Sequence, residues 1–278
     1  MQLLYEAVPG FFAQDGPLAD PRAIGPVPPR FGLLDSSHER WSTFSSKLQK
    51  LNADADANVL YKLFFFGRHG QGYHNVAEEK YGVTAWDDYW AMLNGDGELT
   101  WGPDPELTEL GKEQAASVNE LWKAELAFNI PLPQKLYCSP MTRAMQTNEI
   151  TFNGILTHES QRVVVVENCR EEYGEHTCDK RTTLTHIKAA FPRFEIESGF
   201  AEEDGLWEAD WRETKEQAAA RAKQVLDNIF QNNKSISYVS ITAHGGIING
   251  FLRSLGRPIY PLPTGGVIPV VVKATTTA

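Results

Sequence analysis

Four apolar runs stand out along the chain. Leu60–Phe66 ends in Gly67-Arg68-His69-Gly70, and Lys135–Cys138 ends in Ser139-Pro140. Arg162–Glu167 contains four consecutive valines, and Ser237–Thr242 ends in Ala243-His244-Gly245-Gly246. Short apolar, β-branched or aromatic runs closed by glycine, proline or polar residues read as buried strands. Val267–Lys273 reads as a further strand, and Pro269 within it predicts an edge position, because proline has no N–H for a ladder. Between the strands the apolar spacing changes to that of helices. From Thr108 to about Phe128 it falls on Ala115, Val118, Leu121 and Trp122, with Asp104, Glu106 and Glu109 around the start, where the helix dipole favours acids. From Thr214 to Gln231 it falls on Ala218, Ala222, Val225, Leu226, Ile229 and Phe230. Shorter helices are predicted near Ser42–Leu51, within 71–80, from about Met141, near Thr183–Phe191 and over Ile247–Leu255. Alternating strands and helices predict a three-layer α/β/α sandwich with a mostly parallel central sheet.

Two segments fall outside this alternation. Residues 1–57 read as an irregular N-terminal arm punctuated by Pro17, Pro21, Pro26, Pro28 and Pro29, and packed on a 58–278 domain through Phe11, Phe12, Phe31, Trp41 and Phe44. Residues 81–106 read as an inserted lid. It holds Tyr81, Trp86, Tyr89, Trp90 and Trp101 among acidic residues and has no Lys or Arg. Its aromatics are open to two roles, a core of the lid or a stacking surface for substrate.

Composition changes this picture little, but charge narrows it. The chain has 278 residues, 42% hydrophobic and 22% charged, which suits one sizeable core. Its net charge of −10 argues against nucleic acid or an anionic membrane as main partner, though a local basic pocket can still take a small anion. Three cysteines, Cys138, Cys169 and Cys178, suit free thiols in a reducing compartment. The first residues show no secretory pattern, and no run has the length of a membrane span. A cytoplasmic protein is expected, with the nucleus open. Oligomeric state is not indicated.

The candidate chemistry lies where the strands end. In open α/β sheets ligands bind beyond the carboxyl ends of strands. One end delivers Arg68 and His69, a second Ser139 and Arg143, a third His244 with Gly245 and Gly246 at a helix start. Two guanidinium groups, two imidazoles and a helix N-terminus form an anion site if the strands are neighbours. Cys169, His176, Cys178 and Asp179 are a conceivable metal set, but they lack paired Cys-x-x-Cys or His-x-x-x-His spacing, and no metal or cofactor is expected. His38, His158 and His186 read as surface or packing residues, and His74 as a support of the first turn.

These motifs resemble the histidine phosphatase superfamily, the phosphoglycerate mutase-like fold. Arg68 through Asn75 matches Arg-His-Gly-Gln-x-x-His-Asn, and Leu107 through Ala115 matches Leu-Thr-x-x-Gly-x-x-Gln-Ala. Ser139 through Thr147 matches Ser-Pro-x-x-Arg-Ala-x-Gln-Thr, and Thr242 through Gly246 ends in His-Gly-Gly. The run Arg170 to Arg181 is similar to a fungal and plant phosphomutase-like sub-group. The resemblance implies metal-free phosphoryl transfer through a phosphohistidine on His69. Arg68, Asn75, Arg143, His244 and Gly245 would bind the phosphoryl group, and His176 and Arg181 would line the substrate entrance. Glu171 would be the proton donor, with Glu172 as alternative, since Glu171 stands three residues before Gly174 where many relatives have four. The sugar-acid mutases of the superfamily have basic residues in the insert after the first turn. Their absence from 81–106 favours a phosphatase acting on a small-molecule phosphate ester over a phosphomutase. An inactive phosphate-binding or scaffold protein is the alternative of another class.

Overall fold

The computed structural model describes residues 2–16, 18–156 and 162–277; His158 and Pro17 lie outside these. The strands are β1 (Gln2–Val8), β2 (Val59–Arg68), β3 (Lys135–Cys138), β4 (Val163–Val165), β5 (Glu195–Ile196), β6 (Tyr238–Ala243) and β7 (Val267–Thr277). The helices are α1 (Pro21–Ile24), α2 (Arg40–Ala53), α3 (Tyr73–Tyr81), α4 (Val83–Asp88), α5 (Glu109–Leu126), α6 (Thr142–Thr151), α7 (Leu184–Ala190), α8 (Lys215–Asn232) and α9 (Gly245–Ser254). The strands form one sheet of order β1-β7-β2-β6-β3-β4-β5. β2, β6, β3, β4 and β5 run parallel, while β7 is antiparallel to β2 and β1 to β7.

Period-two alternation puts successive side chains of β2 on opposite faces. Phe64 and Phe66 join one apolar core with Val225, Leu226 and Ile229 of α8 and Ile247, Ile248 and Phe251 of α9. Leu63 and Phe65 join the other, with Trp41 and Phe44 of α2, Val118 and Trp122 of α5, and Met145 of α6. Each fully buried aromatic or aliphatic side chain contributes roughly 1.5–3 kcal/mol relative to exposure. A strand that feeds two cores is thereby fixed in register. The long helices start on side-chain caps. Thr108 Oγ1 accepts the Gly111 N–H at 3.1 Å, and Thr214 and Gln217 cap one another reciprocally.

Two expectations need correction. β7 is not an edge strand but lies between β1 and β2. Pro269 is tolerated because β1 pairs with β7 only as far as Val271. The Val267 N–H points away from β2, to the Pro26 carbonyl. Alternation sends the nitrogen of Pro269 the same way, past the end of β1, so no ladder bond is lost. Residues 2–8, expected to be irregular, form the edge strand β1. Most of its side chains are partly or fully exposed, so its sequence lacks a buried alternating face. Phe12, Phe31, Trp41 and Phe44 are all buried, and α2 is tied down by Arg40 and Trp41, which donate to Glu125.

The lid segment has its own small core of Trp86, Ala91 and Trp101, which also takes in Ala77 of α3 and Cys178. Tyr81 stacks on Trp90 with ring centroids 3.9 Å apart, and Tyr89 is exposed. Trp86 alone of these aromatics also faces the cavity described below. Among the described residues, no helix is long and apolar enough to cross a membrane.

Candidate active site

Because β2, β6 and β3 are neighbours, their carboxyl ends deliver three motifs to one place. The His69 N–H donates to the Ala243 carbonyl, and the Ser139 N–H to the Thr242 carbonyl. The Gly70 N–H donates to Thr147 Oγ1 on α6, one helical turn beyond Arg143. Beyond these strand ends opens a cavity of about 310 Å3 lined by Arg68, His69, His74, Asn75, Arg143, Glu171 and Gly245, among others.

The imidazole of His69 is 2% exposed, and its Nδ1 lies 2.6 Å from the Gly70 carbonyl oxygen. A carbonyl only accepts, so Nδ1 carries the proton and Nε2 keeps its lone pair. The His244 ring stands 5.0 Å from that of His69, with Nε2 2.7 Å from Ser139 Oγ; it lies behind the cavity lining and is fully buried. Burial, and after it the positive charge of Arg143, holds His69, His74 and His244 well below the ordinary histidine pKa. In the unfolded chain they titrate near 6.5. Below that pH the unfolded state takes up protons that the folded state refuses, so stability falls as pH falls. Each histidine adds a slope of about 1.4 kcal/mol per pH unit. Denaturant unfolding between pH 8 and pH 5 is expected to show steep destabilisation below pH 6.5, relieved by inorganic phosphate. A flat profile would contradict the buried neutral histidines.

Arg143 is 1% exposed and held from behind. Nη1 donates to the Cys178 carbonyl at 2.7 Å and Nη2 to Asp179 Oδ1 at 2.8 Å. Arg68 Nη1 donates to the Leu262 carbonyl at 2.8 Å. The remaining edges are unpaired. Nε of Arg68, Nε of Arg143, Nδ1 of His74 and Nδ1 of His244 are buried without a partner, half of all such side-chain atoms among the described residues. Buried polar atoms are normally bonded, so these orphans, three of them on side chains that line the cavity and the fourth on His244 beside His69, mark a place for a polar ligand. Asn75 Oδ1 accepts the Gly72 N–H at 3.0 Å, which leaves its NH2 to donate. His176, Cys178 and Asp179 have their ligand atoms within 4.8 Å of one another. Asp179, however, pairs with Arg143 and lies 3.5 Å from Arg212, and two guanidinium groups there oppose a metal cation. Cys169 belongs to the core on the α8 and α9 side of the sheet.

Two carboxylates face the cavity from the loop after β4. Glu171 accepts the N–H groups of Gly246 and Ile247, at 3.0 and 3.1 Å, at the start of α9. Glu172 is held through both oxygens by Lys215 at 2.8 Å. Burial, and next the charge of Glu171, raises the pKa of Glu172 against the opposing pull of Lys215. A Cβ at position 246 would meet Glu171 Oε1 and Glu172 Oε1, so a larger residue there would push both carboxylates out of place.

His176 also lines the cavity, with Nε2 3.7 Å from Asp87 of α4. Arg181, expected at the entrance, is not among the lining residues. Its Nε donates to both oxygens of Glu167, and its terminal nitrogens donate to the carbonyls of Thr182, Ala201, Glu202 and Glu203. The run of charges around it hid a structural arginine that ties the 199–204 loop to Glu167. His38 and His186 are exposed. Sequence reasoning missed Glu78, Asp87, Arg212 and Lys215 as lining residues, since none stands in a recognisable motif. Asp179 was visible only as a possible ligand, not as the anchor of Arg143.

A family model described as histidine phosphatase superfamily (branch 1) matches residues 65–262. A probable phosphoglycerate mutase of Arthroderma benhamiae is 40% identical over 98% of this chain and 85% of its own length. Phosphomutase-like protein 3 of Candida albicans is 39% identical, covering 76% of this chain and 65% of its own. A probable phosphoglycerate mutase of Saccharomyces cerevisiae is 35% identical, covering 78% and 80%. The chain belongs to the histidine phosphatase superfamily, and its sheet with helices on both faces is that fold.

Proposed function

We propose that the protein is a phosphatase that hydrolyses a small-molecule phosphomonoester through a phosphohistidine on His69. The observation that carries this reading is the set of four unpaired buried nitrogens, on Arg68, His74, Arg143 and His244, around the His69 ring. Nε2 of His69 attacks phosphorus while the ester oxygen departs. Arg68, Arg143, the Asn75 amide and the α9 N-terminus at Gly245 hold the phosphoryl oxygens as charge shifts among them, with His244 packed against His69 behind them. Glu171 protonates the departing oxygen. It then takes a proton from the water that attacks phosphohistidine, releasing inorganic phosphate and neutral His69.

Hydrolysis is favoured over transfer to a second substrate by the other charges that line the cavity. A phosphoglycerate mutase must also hold a carboxylate, and cations are scarce there. Lys215 is taken by Glu172, and Arg212 by the Gly174 carbonyl and Asp179. The same cavity is also lined by Glu78, Asp87 and Trp86.

The test compares esters with good and poor leaving groups. Glu171→Gln is expected to lower kcat/KM for an alkyl phosphate by about 10²–10⁴. It should lower the rate with p-nitrophenyl phosphate much less, because that phenolate leaves unprotonated. Glu172→Gln should have the smaller effect on the alkyl ester. The reverse order would assign the proton transfer to Glu172, the carboxyl already held toward its neutral form. Phosphoryl exchange between added substrates without release of inorganic phosphate would overturn hydrolysis in favour of mutase chemistry.

A further inference from the structure

His74 has no part in the steps above beyond its unpaired nitrogen. It stands second on α3, 91% buried by its 9% exposure, and its ring lies 5.3 Å from that of His69. It lines the same cavity as Arg68 and Arg143. Nδ1 is sealed from solvent and bonded to nothing in the protein. Its Nδ1–Cε1 edge packs against Gly72 of the first turn but, unlike His69 with Gly70, makes no hydrogen bond to it. Burial and four charged or titratable neighbours, Arg143, His69, Arg68 and His176, keep the ring neutral, so it offers one N–H and one lone pair without adding charge.

We infer that His74 is a ligand of the substrate, donating a hydrogen bond from its neutral ring to a phosphoryl oxygen held between Arg68 and Arg143. Its surroundings favour the phosphoryl end of the cavity over the organic end. The ring packs against His69, and Arg143, His69 and Arg68 are the groups whose fields reach it most strongly, ahead of His176. A neutral donor there completes the coordination of a dianion without a third buried cation. This inference rests on the cavity being the phosphoryl site.

The experiment measures binding of inorganic phosphate and of vanadate by calorimetry at pH 7.5. The proteins are wild type, His74→Phe, His74→Asn and, as a control on the site itself, Arg143→Ala. Loss of one buried hydrogen bond predicts about tenfold weaker phosphate binding by His74→Phe. The effect on vanadate should be at least as large, and the amide of His74→Asn should restore a good part of both. In wild type labelled with ¹⁵N-histidine, the His74 ring resonances should shift on phosphate addition while remaining those of a neutral ring. If Arg143→Ala weakens binding and His74→Phe does not, or if the His74 resonances do not move, the inference fails and the phosphoryl site stands. If neither variant changes binding, or wild type binds no phosphate, the reading of the cavity fails and this inference with it. The resonance measurement decides the matter even where His74→Phe does not fold.

Discussion

His69→Ala is expected to abolish turnover of every phosphomonoester, with kcat/KM falling by about 10⁵ or more, the scale of losing a covalent nucleophile. The loss should not come from unfolding. The side chain makes one hydrogen bond, to the Gly70 carbonyl, and the turn is held separately by backbone bonds of His69 to Ala243 and Gly265 and by Gly70 to Thr147. Removing the ring costs some packing but also removes a buried group that resists protonation. Phosphate should still bind to His69→Ala, since Arg68, Arg143 and His244 remain. A variant that keeps its fold, binds phosphate and turns over no ester is what separates an enzyme from a phosphate-binding scaffold. Wild-type rates in folded His69→Ala would contradict the assignment of the nucleophile.

Arg143→Ala should cost both activity and stability, and the two losses can be pulled apart. For activity, one of the two guanidinium groups proposed to hold the phosphoryl oxygens disappears, worth about 10²–10⁴ in kcat/KM. For stability, removing one partner of a buried ion pair typically costs about 3–5 kcal/mol, because the other charge is left behind. Here that charge is Asp179, 4% exposed, with Arg212 at 3.5 Å as partial compensation. The Cys178 carbonyl also loses its donor. Adding Asp179→Asn to Arg143→Ala should therefore recover much of the stability in denaturant unfolding and none of the activity. If the double variant regained activity, Arg143 would act only by shaping the loop. Arg143→Lys should fall between, since an ammonium supplies charge but cannot reach the Cys178 carbonyl, Asp179 and a phosphoryl oxygen together.

The parts legible in the sequence were those with a strong local pattern. β2 could be read from Leu60–Phe66 because both its faces are buried, and the Gly-Arg-His-Gly turn after it announced a strand end. Arg143 and His244 were legible because each follows a short apolar run by a few residues. The parts that stayed hidden depend on distant partners. β1 carries no apolar face of its own and is a strand only because β7 offers an edge. Pro269 pointed to an edge strand, although only the first residues of β7, before Val271, lack a partner in β1. Arg181 and Arg143 look alike as arginines in charged or polar stretches. Their roles differ because the first is ringed by carbonyls and Glu167, while the second keeps Nε free toward the cavity. Orphaned atoms of this kind are defined by what fails to reach them, and no sequence pattern records that.

The central claim is a phosphoryl group carried on His69, and rapid-quench trapping tests it most directly. Wild-type protein is mixed with excess p-nitrophenyl phosphate, quenched in alkali within milliseconds, digested and analysed by mass spectrometry. One phosphoryl group should appear on the peptide containing His69, stable in alkali and lost in acid, and be absent from His69→Ala. Its decay after substrate is exhausted should match the release of inorganic phosphate. Phosphate release by wild type with no modified peptide at any time, or with the group on another residue, would contradict the account.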